Sequence, residues 1–349
     1  MSRLERVLEL VQISSVSRDE ATLASHVESV LSSNPRLSVD RIGDNVVART
    51  NDGRDTRLLV AGHLDTVPGD VGAALIDGTT LRGLGACDMK ASLAVMLELA
   101  LQEVERPVDV TWVFYAREEI ARSESGLLEI AQARPDLLEA DAAVLGEPTN
   151  FAVEAGCQGN LRVLVRLRGV RAHSARPFTG RNAIHRLAPF LTKVAAYEPR
   201  EVVLDSVAFT EQLQAVLVHG GIAGNVVPDE VDITLNHRFA PDRSSAEAEA
   251  WLRSYVEEFL EVDDDFEVLD AAPSGQPSLS NPHLERLVSL TATAPVGKVG
   301  WTDVATFQQL GIAATNFGAG DPLLAHRSDE SVTEAAVDHF AEVLQQWLS

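Results

Sequence analysis

The chain has 349 residues, of which 45% are hydrophobic and 23% charged, and it carries a formal net charge of −23 at pH 7. That length exceeds what one hydrophobic core usually supports, so two domains are expected. The negative charge argues against nucleic acid or an anionic membrane as partner, and no apolar run reaches the roughly 18 residues of a membrane span. Two cysteines, Cys87 and Cys157, offer no disulfide framework, which fits a reducing cytoplasm.

The N-terminal residues Met1 to Glu5 read as the entry to an amphipathic helix over 3–12 (Leu4, Val7, Leu8, Val11), not as a signal peptide. Asp19 and Glu20 open a second helix to about Leu31. Ser38 to Thr50 is strand-like around the turn Gly43-Asp44-Asn45. Leu58 to Ala61 is a short apolar strand that delivers Gly62-His63-Leu64-Asp65-Thr66-Val67-Pro68. A Gly-rich loop, Leu81 to Asp88, runs into a helix from Met89 to about Val104. Val108 to Ala116 is a β-rich run ending in Arg117-Glu118-Glu119. Ser123 to Ala133 is helical, and Ala142 to Leu145 is a strand ending in Gly146-Glu147-Pro148. Strands alternating with helices imply an α/β fold with a mostly parallel sheet.

Residues 158–271 read differently. Asn160 to Gly169 alternates apolar and basic residues, as a strand with one exposed face does. A helix (Asn182 to Ala196), two strands (Leu213 to Val218 and Glu230 to Phe239), a helix (Ser244 to Leu260) and a short strand (Phe266 to Leu269) complete a β-α-β-β-α-β order. That order suits an α+β sandwich inserted into the larger domain. The expected division is 1–157 plus 272–349 against 158–271, with Ala271 to Pro282 as return linker. Ile312 to Phe317 then leads into Gly318-Ala319-Gly320-Asp321 and His326, and a last helix runs from about Val332 to Trp347.

The chemistry gathers where strands end. His63 and Asp65 lie two residues apart after a strand, so both side chains can share one face, as in a metal-binding histidine backed by a carboxylate. Alone, such a pair is more often an incidental loop feature. Glu118-Glu119, Glu147 and the later His326 add further candidates beyond strand ends, where open α/β sheets place their ligands, and Asp88 adds a carboxylate in the Gly-rich loop. Two imidazoles with several carboxylates suit zinc-like divalent ions. Adjacent Glu118 and Glu119 point in different directions, so one can bind metal while the other takes a proton from water.

Gly62 to Pro68, Asp88-Met89-Lys90, Glu118-Glu119, Gly146-Glu147-Pro148 and the late His326 resemble the di-zinc amidohydrolases. That family includes desuccinylases, deacetylases, aminoacylases and glutamate-releasing carboxypeptidases. The resemblance spans nearly the whole chain in order. It implies a zinc-hydrolase catalytic domain with an inserted lid and dimerisation domain, and two divalent ions, zinc or alternatively cobalt. His63 and Glu147 would hold one ion, Glu119 and His326 the other, and Asp88 would bridge them. Asp65 would orient His63, and Glu118 would be the general base. His173, in Arg171 to Pro177, matches a lid histidine that polarises the scissile carbonyl, typically from the partner subunit of a homodimer. Asn225 and Arg238 match substrate-contacting positions.

The segments Glu154 to Asn160, Gly300 to Val304 and Asn316 to Pro322 most resemble the actinobacterial desuccinylase branch. That branch splits N-succinyl-L,L-2,6-diaminopimelate into succinate and L,L-diaminopimelate. Acetylornithine deacetylation, or hydrolysis of another small anionic N-acyl amino acid, is the alternative. One departure matters: other desuccinylases carry an Arg pair where Cys157-Gln158 stands. Arg162, Arg176 and Arg238 are candidates to grip a substrate carboxylate instead. Residues 160–200 hold nine basic side chains and one acid, Glu198. Most of these should pair with acids elsewhere, while some could face an anionic ligand. Gly318 and Gly320 could offer backbone N–H groups to an anion, although a plain turn fits as well. Cys87 reads as a packed thiol, and the remaining six histidines as structural.

Overall fold

The computed structural model describes residues 2–69 and 74–349; Met1, at the head of the first expected helix, lies outside them. Of the described residues, those within 1–156, 277–297 and 303–349 form one compact unit and those within 157–276 and 298–302 the other. Residues 272–276 and 298–302 thus pack with the second unit, where the sequence pattern alone puts them with the first. Trp301 Nε1 donates to Pro273 O at 2.9 Å, and Gln158 N to Lys298 O at 3.3 Å.

The first unit is built on an eight-stranded sheet. Its order is Ser38–Ile42, Asn45–Arg49, Asp109–Tyr115, Arg57–His63, Ala142–Leu145, Ala314–Asn316, Glu154–Ala155 and Val296–Gly297. Arg57–His63 runs parallel to both neighbours, and Ala314–Asn316 parallel to Ala142–Leu145. Asp109–Tyr115 is buried at every position, because helices cover both faces of a parallel sheet and leave no polar side to alternate with. Helices Arg3–Val11, Ala91–Ala100, Pro282–Leu290 and Glu334–Trp347 share one apolar core with Leu58, Val60, Trp112 and Val144. Gly62 makes one close approach possible. A Cβ there would sit 2.5 Å from Met89 Cε and 2.6 Å from Leu93 Cδ2, so glycine lets this helix lie against the strand end that carries His63.

Two boundaries moved. The helix expected from Met89 begins at Ala91, after a wide turn over Ala86–Lys90 in which Asp88 leaves helical geometry (φ −117°, ψ 92°). The last helix begins at Glu334, with Thr333 as its N-cap. Before it, Ser331–Thr333 joins a small three-stranded sheet with Thr80–Arg82 and Leu75–Asp77. Hydrophobic spacing cannot see that sheet, since three-residue strands carry too little pattern.

The second unit is a four-stranded antiparallel sheet in the order Gln212–Gly220, Glu230–Phe239, Gly159–Arg168, Asp265–Ala272. Leu161, Val163, Val165 and Leu167 alternate into a core with Leu187 and Phe190 of helix Ala183–Ala195 and Leu252 of helix Ser245–Val256. The basic residues of Gly159–Arg168 face outward with the polar side of the pleat.

Candidate metal centre

His63 closes the strand Arg57–His63 and is 1% exposed. Its Nδ1 lies 2.9 Å from the backbone oxygen of Asp65. A neutral ring there donates from Nδ1 and turns the Nε2 lone pair inward. Nε2 faces Asp88 Oδ1 at 3.1 Å and Glu147 Oε1 at 3.8 Å. The second oxygen of Asp88 lies 3.4 Å from His326 Nε2, which is 2.9 Å from Glu119 Oε1. Asp88 therefore presents one oxygen to each imidazole, and donor atoms of His63, Asp88 and Glu119 all lie within 4.8 Å of one another. The five residues expected as ligands are brought together, from the ends of three parallel strands, a loop and a turn.

Backbone geometry aims the glutamates. Arg117 follows strand Asp109–Tyr115 with φ +62°, which turns the chain sharply off the sheet. Its N–H donates to Glu20 Oε1 at 3.1 Å. The next two amides are caught by Asp65: Glu118 N donates to Oδ1 at 2.9 Å and Glu119 N to Oδ2 at 3.1 Å. Ser17 Oγ donates to the same carboxylate at 2.7 Å. Asp65 was expected to orient His63, but its carboxylate is 3.6 Å from His63 Nδ1, and the short contact to the ring is through its backbone oxygen. The main task of this carboxylate is to hold the Glu118-Glu119 turn. His326 also has a left-handed backbone, φ +62°, a conformation that costs energy in a non-glycine residue and clusters at functional sites.

The electrostatics ask for cations. Burial alone would lower the pKa of His63, yet the hydrogen bond and charge of Asp88, with Glu147 and Glu118, raise it well above the usual value. His326 is raised to about 10 by its hydrogen bonds with Asp88 and Glu119. Despite burial, Asp88 is held below the normal carboxylate range by hydrogen bonds with both imidazoles. Glu118 is raised well above 4.5 by burial and by Glu147, with His63 opposing. Carboxylates crowded in a dry site need protons or metal ions to remain together. Two imidazoles with three carboxylates match the donor preference of zinc-like divalent ions, so the residues present fit such ions.

Among known proteins, the model for peptidase family M20/M25/M40 matches residues 59–349. The chain belongs to that family. It is 41% identical over 351 residues to a succinyl-diaminopimelate desuccinylase of Corynebacterium glutamicum, covering 97% of this chain and 94% of the relative. It is 44% identical over 348 residues to DapE of Mycobacterium tuberculosis, covering 99% and 97%. In fold it is similar to a tripeptidase from Staphylococcus aureus, at 20% identity with a TM-score of 0.81, covering 99% of this chain and 96% of the other. A dinuclear metal-binding M20 peptidase from Bacillus subtilis gives 0.72 at 14% identity, covering 99% and 96%. As an M20 protein this chain is a metal-dependent hydrolase of amide bonds, and the cluster of His63, Asp88 and Glu119 is a candidate place for a divalent ion.

The expected substrate contacts divide between the units. In the second unit His173 pairs with Val226 across two short strands, and Ser174 N donates to Asn225 O at 2.9 Å, so His173 and Asn225 are neighbours. His173 Nδ1 accepts from Ala175 N at 3.0 Å, which places the ring proton on Nε2. Eight of the nine basic residues of 160–200 make ion pairs, Arg162 with Asp270 among them. Among the described residues of this unit, Arg176 and Arg238 are the arginines without a carboxylate partner. Gln158 is buried, its Nε2 donating to Thr210 O at 2.8 Å.

In the first unit Gly318 does not act as expected. Its N–H donates to Thr149 Oγ1 at 3.2 Å, and the neighbouring Ala319 N–H to Ser92 Oγ at 3.0 Å. A Cβ on Gly318 would lie 2.0 Å from Gly146 O, so this glycine serves close packing rather than anion capture. Gly320, at φ +108°, passes Cys87 Sγ at a distance that leaves no room for a side chain. Cys87 is a buried thiol whose pKa burial pushes far up, and it is inert as a nucleophile.

Proposed function

We propose that this chain hydrolyses the succinyl amide of N-succinyl-L,L-2,6-diaminopimelate, releasing succinate and L,L-diaminopimelate for lysine and cell-wall synthesis. The observation that carries this reading is the 41% identity to the C. glutamicum desuccinylase over almost the whole chain, and the gathering of the five candidate ligands around Asp88 supports it. His63 and Glu147 would hold one divalent ion and Glu119 and His326 the other, with Asp88 shared; zinc suits these donors, and cobalt is the alternative. Bound ions of this kind polarise a carbonyl and make water acidic enough to lose a proton near neutral pH.

The protein's own part follows from its side chains. Glu118 takes the proton of the attacking water and returns it to the leaving amine. His173 donates from Nε2 to the carbonyl oxygen as charge develops there. Arg176 and Arg238 bind substrate carboxylates through paired N–H donors, which the other arginines of the unit cannot do while engaged in ion pairs. Asn225, beside His173, supplies a neutral contact.

A homodimer through the second unit is part of the proposal. Strand Gln212–Gly220 is an edge of its sheet, and Val216, Leu217 and Val218 are each about half exposed on it. A long apolar edge is an invitation to pair with another chain. Among the described residues no helix is long and apolar enough to cross a membrane, and two buried cysteines outside any disulfide suit the cytoplasm. A substrate panel on metal-reconstituted protein tests the reading. The succinyl substrate should turn over fastest, and faster turnover of N-acetylornithine or another N-acetyl amino acid would overturn the assignment.

A further inference from the structure

Loop 83–88 carries Asp88 into the metal centre, yet it has almost no secondary structure to satisfy its amides. Gly85 is left-handed (φ +76°) and packed so closely that a Cβ would lie 2.6 Å from Thr66 Cγ2. A buried N–H without an acceptor costs about 1–3 kcal/mol, so the donors of this loop must find partners.

Four of the six find one residue, while Ala86 N donates to Gly83 O at 3.1 Å. The Glu330 side chain, 2% exposed, accepts Cys87 N at 2.8 Å and Asp88 N at 2.9 Å through Oε1, and Gly85 N at 3.0 Å through Oε2. The backbone oxygen of Glu330 accepts Gly83 N at 3.0 Å. Among the described residues no arginine or lysine lies within ion-pair distance of this carboxylate; Lys90 acts on it through charge alone, and the hydrogen bonds to the loop are its direct contacts. Glu330 also follows His326 by four residues, and Glu330 N donates to Arg327 O at 3.2 Å, making the segment a compact turn.

We propose that Glu330 is a positioning residue of the metal centre: it clasps the loop bearing Asp88 to the turn bearing His326 and so sets the spacing of two ligands that lie far apart in sequence. This rests on the metal-centre reading above. Four hydrogen bonds from one residue join the segments, and their outcome is the 3.4 Å approach of His326 Nε2 to Asp88 Oδ2. In Glu330→Gln the amide can keep an oxygen toward Cys87 and Asp88, but its NH2 then opposes the Gly85 N–H. Glu330→Asp keeps the charge and withdraws the carboxylate by one carbon.

The test compares Zn2+ and Co2+ affinity of parent, Glu330→Gln and Glu330→Asp by competition with a chromophoric chelator. The visible spectrum of the Co2+ forms reports ligand geometry. Both variants are expected to lose roughly 10- to 100-fold in affinity for at least one of the two ions, with a changed Co2+ spectrum. Parent-like affinity and spectrum in Glu330→Gln would overturn the proposal. So would full affinity in Glu330→Asp, which would assign any loss in the Gln variant to charge alone. A parent that bound no divalent ion would be a different failure, that of the metal-centre reading itself.

Discussion

Asp65→Asn isolates the turn that aims the two glutamates. The parent carboxylate is fully buried and accepts Ser17 Oγ, Glu118 N and Glu119 N. Asparagine fills the same space with one oxygen and one NH2. Whichever way it is turned, the NH2 faces a backbone N–H that cannot become an acceptor, while Ser17 can rotate to adapt. One hydrogen bond to a charged acceptor, about 1.5–3 kcal/mol, is therefore lost at the turn. At 1.4 kcal/mol per factor of ten, the correctly placed turn is disfavoured roughly 10- to 150-fold. The expected result is a fall of that size in kcat at saturating metal, with KM little changed, since no substrate contact is removed. Affinity for the ion held by Glu119 should also weaken. Steady-state kinetics on the reconstituted variant, with a metal titration, measure both. Parent-like kcat together with parent-like metal affinity would refute the view that Asp65 works through residues 118 and 119.

Three further outcomes follow from the same geometry. Arg238→Ala should raise KM for the succinyl substrate roughly 10- to 150-fold, the worth of one charge-assisted contact, and kinetics with an esterified substrate should erase the difference. Metal binding should release protons: His326, raised to about 10, is protonated at pH 7 in the metal-free protein and must lose that proton to become a ligand. Affinity should then climb about tenfold per pH unit for the ion that takes His326, up to about pH 10. Calorimetry in buffers of different ionisation enthalpy counts the proton. His237 is wholly buried beside Trp251, with neither ring nitrogen hydrogen-bonded, and burial lowers its pKa to about 4. The unfolded chain protonates it near 6.5 and the folded chain does not, so stability is lost as pH falls from 6.5 toward 4, by roughly 3 kcal/mol. In metal-free protein, His237→Leu should flatten denaturant-derived stability over that window, and an unchanged slope would remove His237 as its cause.

Much of the centre is legible in the chain because parallel α/β topology places functional side chains just after strands. His63, Glu118, Glu119 and Glu147 all follow apolar runs, and residue type does the rest: imidazoles and carboxylates at such points have little else to do in a buried site. His326 is harder to see, since it follows no strand directly and stands on a left-handed backbone. The basic stretch 160–200 shows what composition cannot decide. Nine cations in a stretch of 41 residues suggest an anion site, yet cross-strand and inter-element acids take eight of them, and only folding reveals that, among the described residues, Arg176 in that stretch and Arg238 beyond it have no carboxylate within ion-pair distance.

What the sequence determines by itself is the α/β order, the inserted α+β sandwich and the candidate metal ligands at the strand endings, because periodicity and strand endings are properties of neighbouring residues. What the tertiary structure decides is who touches whom. The bond from Glu118 N to Asp65 spans 53 residues, that from Asp88 N to Glu330 spans 242, and the contact of His326 with Glu119 spans 207. Such distances in the chain carry no local pattern, so the acceptor of a loop's amides can be any buried carboxylate that packing brings near. That is why Asp65 proves to be the anchor of the Glu118-Glu119 turn, why Gly318 proves to be packing rather than an anion contact, and why Glu330 emerges only when the loops are in place.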